Sequence, residues 1–221
     1  MSGLVHLVEP PSSGQAPVLL ALHGTGGSEA DLLPVGRALL PGAALIAPRG
    51  PVVEGDGVPR FFRRIPTGGT GAYPFTFDDA EIAERAAQLA AFLDETVAAH
   101  GLEGRPRYAV GFSNGANIAT ALLLLAPGAV RGVVAFAPMP VLDAPPVADL
   151  SASAAWLGTG RADPIATPAL VERLAATLDE RGAAVEVAIG EGGHEVRLEA
   201  VRAAAGWLAK LHAATGGADL P

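Results

Sequence analysis

Apolar residues in this chain gather in short unbroken runs, and between the runs they recur every three or four positions. The runs at 17–22, 43–47, 132–137 and 154–157 are too short for helices and suit buried strands, and 184–189, interrupted by Glu186, is expected as the last strand. Residues 4–8 alternate in character and predict a short edge strand. Helical spacing predicts a first helix from Ser28, with Asp31 as its capping-box partner, to about Leu40. A second, long and amphipathic, is predicted from a capping box of Thr76 and Asp79 to near His100 and Gly101. Further helices follow Ser113, start at Thr167 or Pro168 and end near Arg181, and close the chain near His212.

Strands and helices therefore alternate, which predicts an α/β fold with a doubly wound, mostly parallel sheet and helices on both faces. One domain over 1–221 is expected, with its core at about 17–211 and a frayed tail at 215–221. Residues 48–74 break the pattern: they lose periodicity, fill with Gly, Pro and Arg, and carry the patch Arg60-Phe61-Phe62-Arg63-Arg64. A loop of that length in a compact domain is usually functional or disordered. No other insertion is large enough to form a lid.

Composition narrows the function classes. A hydrophobic share of 50% and a charged share of 17% exclude a disordered chain, and a net charge of −8 argues against nucleic acid or an anionic membrane as partner. The absence of cysteine excludes disulfides, thiolate catalysis and cysteine metal sites. Residues 1–11 have no basic segment before an apolar run, and no apolar run reaches membrane-spanning length. A cytoplasmic protein is expected, and a homodimer stays open.

The candidate chemistry centres on Gly111-Phe112-Ser113-Asn114-Gly115, where a strand ending at Val110 turns into a helix. With 28 glycines in 221 residues the G-x-S-x-G spacing alone is weak, but the strand, turn and helix context is that of a nucleophile elbow. Such a turn needs residues without bulk on both sides of a strained serine, which Gly111 and Gly115 supply. A serine hydroxyl needs a base within hydrogen-bond reach and an acid to orient that base. Of the five histidines, His194 alone sits in a glycine-rich loop after a late strand; His6, His100 and His212 read as structural or solvated, and His23 as support for its own turn. Asp163 directly follows the 154–157 strand and its glycine-rich end, whereas the rivals Asp143 and Asp149 follow no clear strand. The order Ser, Asp, His is that of α/β-hydrolases. Two N–H donors for an oxyanion are expected from Asn114 and, in the turn His23-Gly24-Thr25-Gly26-Gly27, from Thr25. That turn is a poor phosphate cradle, because no Gly-Lys-Ser/Thr follows it.

Together with Gly160-Arg161-Ala162-Asp163-Pro164-Ile165 and Gly193-His194-Glu195, these segments resemble the phospholipase/carboxylesterase family of α/β-hydrolases, over about 17–211. The resemblance implies a small, nearly lidless serine esterase without cofactor or metal. Asn114 stands where the family's acyl-protein thioesterases typically carry glutamine, so its bacterial carboxylesterases are the closer comparison. A lysophospholipase or thioesterase with the same triad is the neighbouring expectation, and a non-catalytic binding module on the same fold is the alternative of a different class. For the substrate, Phe61 and Phe62 are expected as an apolar wall beside Ser113 with Met139 lining the same pocket, which favours short or medium acyl chains or small aromatic esters.

Overall fold

A computed structural model of the protein describes residues 3–55, 57–68 and 75–214. The expected tail at 215–221 and the end of the long loop at 69–74 lie outside the described residues. The strands are β1 (His6–Glu9), β2 (Val18–Leu22), β3 (Ala44–Pro48), the two-residue β4 (Val52–Val53), β5 (Pro59–Arg60), β6 (Ile65–Pro66) and β7 (Phe75–Thr76), then β8 (Arg107–Phe112), β9 (Gly132–Phe136), β10 (Ala154–Gly160) and β11 (Ala184–Gly190). The helices are α1 (Leu33–Leu39), α2 (Asp79–Ala99), α3 (Asn114–Leu125), α4 (Pro168–Asp179) and α5 (Leu198–Ala214).

Seven strands form one sheet in the order β1-β3-β2-β8-β9-β10-β11, parallel throughout except that β1 runs antiparallel to β3. Every residue of β2, β3, β9 and β10 is buried, the condition that makes such strands read as continuous apolar runs. Alternation still sorts their side chains. Val18, Leu20 and Leu22 join a core with Ile82 and Phe92 of α2, Ile118 and Leu122 of α3 and Leu174 of α4. Leu19 and Ala21 join one with Leu33 of α1 and Val201 and Leu208 of α5. This is the α/β-hydrolase arrangement, helices on both faces of a mostly parallel sheet.

Two helix starts differ from the expected ones. Ser28 does not cap α1: its hydroxyl donates to Asp31 Oδ1 at 2.6 Å, closing a local turn, and the helix begins only at Leu33 with Pro34 in its first turn. For α2 the cap is Asp78, whose side chain accepts the Ala80 N–H at 2.9 Å, because Thr76 is already in β7. Residues 48–55 and 57–68 carry more regular structure than their composition suggests, since β4 pairs with β5 and β6 with β7.

Candidate active site

The carboxyl ends of β2, β8, β9, β10 and β11 lie along one edge of the sheet, the crevice where parallel sheets present their functional loops. Ser113 stands between β8 and α3 with φ 53° and ψ −116°, a backbone region that costs a non-glycine residue about 1–3 kcal/mol. The turn is enforced from both sides. A Cβ on Gly111 would lie 2.3 Å from the Gly115 carbonyl oxygen, and one on Gly115 only 2.0 Å from that of Leu22, so neither position tolerates a side chain. The Ser113 N–H is held by the Phe136 carbonyl of β9 at 2.9 Å.

Three residues from separate loops meet at this turn. Ser113 Oγ lies 2.9 Å from His194 Nε2, and His194 Nδ1 lies 2.8 Å from Asp163 Oδ2. A carboxylate only accepts, so Nδ1 carries the proton and Nε2 is left to accept from the serine hydroxyl. Asp163 is 3% exposed and fully engaged: Oδ1 accepts the N–H groups of Ile165 at 2.8 Å and Ala166 at 2.9 Å. The Thr159 hydroxyl stands 3.2 Å from Oδ2 while donating more closely, at 2.7 Å, to the Ala166 carbonyl. Phe112 packs against the His194 ring, their centroids 5.1 Å apart. The rival acids lie elsewhere: Asp149 is exposed and accepts from the Ser151 N–H, which holds its carboxyl below the usual range, and Asp143 is exposed on a loop, its backbone N–H bound by Asp79.

The loop after β2 lies alongside. In it the N–H of Gly26 donates to Pro59 and that of Gly27 to Gly24, whereas the N–H groups of Thr25 and Asn114 have no acceptor among the described residues. His23 braces this turn, its Nδ1–H donating to the Gly24 carbonyl at 2.6 Å and its Nε2 accepting the Gly50 N–H at 2.9 Å. Burial pushes the His23 pKa below its ordinary value, consistent with an imidazole that must stay neutral to accept at Nε2. The other histidines keep clear of the serine. His6 packs on Phe92, His100 follows the end of α2, and His212 is buried beside the Tyr108 hydroxyl.

The residues expected as a substrate wall are closed off from solvent. Phe61 and Phe62 are 2% and 0% exposed, packed on His23 and Phe77 respectively, and Arg60 is buried in an ion pair with Glu54. Phe61 and Phe62 cover the core directly after β5, while Arg63 of the same patch stays exposed. Met139 is 4% exposed and likewise turned into the core. Two buried asparagines hold these loops through side chains for which no role was expected: Asn114 Oδ1 accepts the Phe61 N–H at 2.7 Å and Asn117 Oδ1 the Met139 N–H at 2.8 Å. Polar residues on an otherwise apolar helix were the available signal. Among the described residues no group of three or more His, Asp and Glu could hold a metal, and no helix is long and apolar enough to cross a membrane.

A model of the phospholipase/carboxylesterase family matches residues 5–212. The chain is 36% identical over 202 residues to the putative hydrolase MhqD of Bacillus subtilis, covering 91% of this chain and 96% of that protein. Among solved structures, the Bacillus cereus carboxylesterase superposes with a TM-score of 0.86 at 34% identity, covering 95% of each chain. The carboxylesterase of Mesorhizobium loti does so with 0.78 at 36% identity, covering 87% of this chain and 88% of the other.

Proposed function

Since this chain belongs to the phospholipase/carboxylesterase family, we propose that it is a serine carboxylesterase working through an acyl-enzyme on Ser113. The observation that carries the proposal is the unbroken hydrogen-bonded line from Ser113 Oγ through His194 to buried Asp163, at a strained turn flanked by two N–H groups without acceptors. His194 Nε2 takes the serine proton as Oγ attacks the ester carbonyl carbon, and the resulting oxyanion is held by the N–H groups of Thr25 and Asn114. One such donor is worth about 2.7–4 kcal/mol in the transition state. His194 then gives the proton to the leaving alcohol, and water activated by the same nitrogen hydrolyses the acyl-enzyme to the free acid. Asp163 keeps the imidazole in the tautomer that leaves Nε2 free.

The proposed substrates are short or medium acyl esters or small aromatic esters. A long acyl chain is favoured only where apolar walls repay its transfer from water, at about 0.8 kcal/mol per CH₂. Phe61, Phe62 and Met139 are spent on the core, so none of the three supplies such a wall. kcat/KM across 4-nitrophenyl esters from acetate to dodecanoate should peak at or below the middle of the series and vanish in Ser113→Ala. A rise to the longest chain would move the reading to a lysophospholipase, and a preference for matched thioesters to a thioesterase.

A further inference from the structure

The two N–H groups offered to an oxyanion belong to different parts of the chain, Thr25 to the loop after β2 and Asn114 to the start of α3. Their spacing decides whether both can reach one oxygen, since each donor must lie about 2.7–3.1 Å from it. At their roots the two turns touch directly: a Cβ on Gly115 would lie 2.0 Å from the Leu22 carbonyl oxygen and 2.5 Å from that of His23. Beyond that contact the β2 loop runs through Gly24 and through Gly26, which has φ 79°. Neither glycine has a side chain to anchor the loop, so Thr25 between them needs a hold from outside it.

β5 and the residue after it supply that hold to both turns at once. The Pro59 carbonyl accepts the Gly26 N–H at 2.8 Å, and two residues on the Phe61 N–H donates to Asn114 Oδ1 at 2.7 Å. The Phe61 ring lies on His23, their centroids 5.0 Å apart, and His23 Nε2 accepts from Gly50, where a Cβ would come within 2.5 Å of the Arg60 carbonyl. Arg60 is buried between the two ties, and its ion pair with Glu54 closes the hairpin of β4 and β5. Asn114 therefore serves twice, with its N–H towards the oxyanion and its side chain, 5% exposed, on the strand that holds the other donor. We propose that residues 59–61 are a spacer that fixes the distance between the two oxyanion donors, and that the Asn114 side chain is its positioning residue on the elbow. The consequence for turnover rests on the esterase reading, whereas the coupling of Asn114 to Gly26 rests on the hydrogen bonds alone.

Asn114→Ala keeps the backbone donor and cuts only the tie to Phe61. Complete loss of an oxyanion donor costs about 10²- to 10³-fold in kcat, so a displaced pair should lose at least about tenfold for 4-nitrophenyl acetate, with KM within about twofold of the parent. Trifluoroacetophenone reads the donors without turnover. Ser113 Oγ adds to its carbonyl carbon, the serine proton passes to His194 Nε2, and the carbonyl π pair becomes an alkoxide facing the two N–H groups. Its inhibition constant should rise in Asn114→Ala by the factor by which kcat/KM falls. Asn117→Ala is the matched comparison, because it too removes a buried amide from α3 and frees one backbone N–H, that of Met139. It should weaken the ketone at least about fivefold less than Asn114→Ala does. Glu54→Gln, which loosens the same hairpin from its partly exposed side, decides the matter if Asn114→Ala does not fold: kcat should fall about two- to fivefold and the ketone constant rise in proportion. Independently of activity, hydrogen exchange in folded Asn114→Ala should quicken at the Gly26 N–H at least about tenfold more than at the amides of β2. A Gly26 rate that moves only with β2, a ketone constant that stays put while kcat falls, or an equal effect of Asn117→Ala overturns the spacer. A parent that neither hydrolyses the ester nor binds the ketone, with Gly26 still responding to Asn114→Ala, marks failure of the esterase reading instead.

Discussion

Replacing Asp163 by Asn tests how the buried carboxylate sets the imidazole, and the structure decides which way the amide must sit. Oδ1 accepts two backbone N–H groups, from Ile165 and Ala166, while Oδ2 faces His194 Nδ1. If the amide NH₂ took the first position, two buried donors would face a donor, each unsatisfied group costing about 1–3 kcal/mol. The amide therefore places its oxygen there and its NH₂ against Nδ1. His194 then moves its proton to Nε2, the nitrogen 2.9 Å from Ser113 Oγ, and can no longer accept the serine proton. The expected loss in kcat is about 10⁴-fold, the scale found for a mis-set tautomer in a serine hydrolase triad, or about 5.4 kcal/mol. The assay is kcat/KM on 4-nitrophenyl acetate with thermal unfolding alongside, and Asp143→Asn and Asp149→Asn should stay within about twofold of the parent. A loss below about tenfold in a folded Asp163→Asn protein would refute the reasoning.

Gly115→Ala should fail to fold or lose more than about 3 kcal/mol in a denaturant melt, because its Cβ falls 2.0 Å from the Leu22 carbonyl oxygen with backbone on both sides of the contact. His23 has a lowered pKa in the fold, so below about pH 6.5 the unfolded chain binds the proton that the folded chain refuses. Its contribution is therefore complete above that pH and is lost as pH falls, and the decline of Tm between pH 7.5 and 5.5 should be shallower in His23→Asn than in the parent. Asn117→Ala frees the Met139 N–H and loosens the loop after β9, so it should lower Tm while changing KM more than kcat, as steady-state kinetics would show.

The parallel core was legible because strands buried on both faces leave continuous apolar runs, and the candidate site was legible as a turn whose spacing is mechanically forced at Gly111 and Gly115. Asp163 could be chosen over Asp143 and Asp149 because it follows a strand directly. Helix starts were less readable: Ser28 and Thr76 are good caps in isolation, but the first spends its hydroxyl on Asp31 and the second lies in β7. The burial of the Phe61-Phe62 pair was unreadable for a tertiary reason. Nothing local shows that Asn114, fifty-three residues away, will accept the Phe61 N–H, or that the Phe62 ring will pack on Phe77. Thr159 and Asn117 were invisible for the same reason, since their partners are fixed only when the loops converge.

Whether Ser113 is the nucleophile is decided by the mass of the enzyme after reaction with a fluorophosphonate. One adduct per chain is expected, on the peptide that contains Ser113, formed in step with loss of esterase activity and absent from Ser113→Ala. An adduct on another residue, or an unlabelled Ser113 in protein that still hydrolyses 4-nitrophenyl acetate, would contradict it.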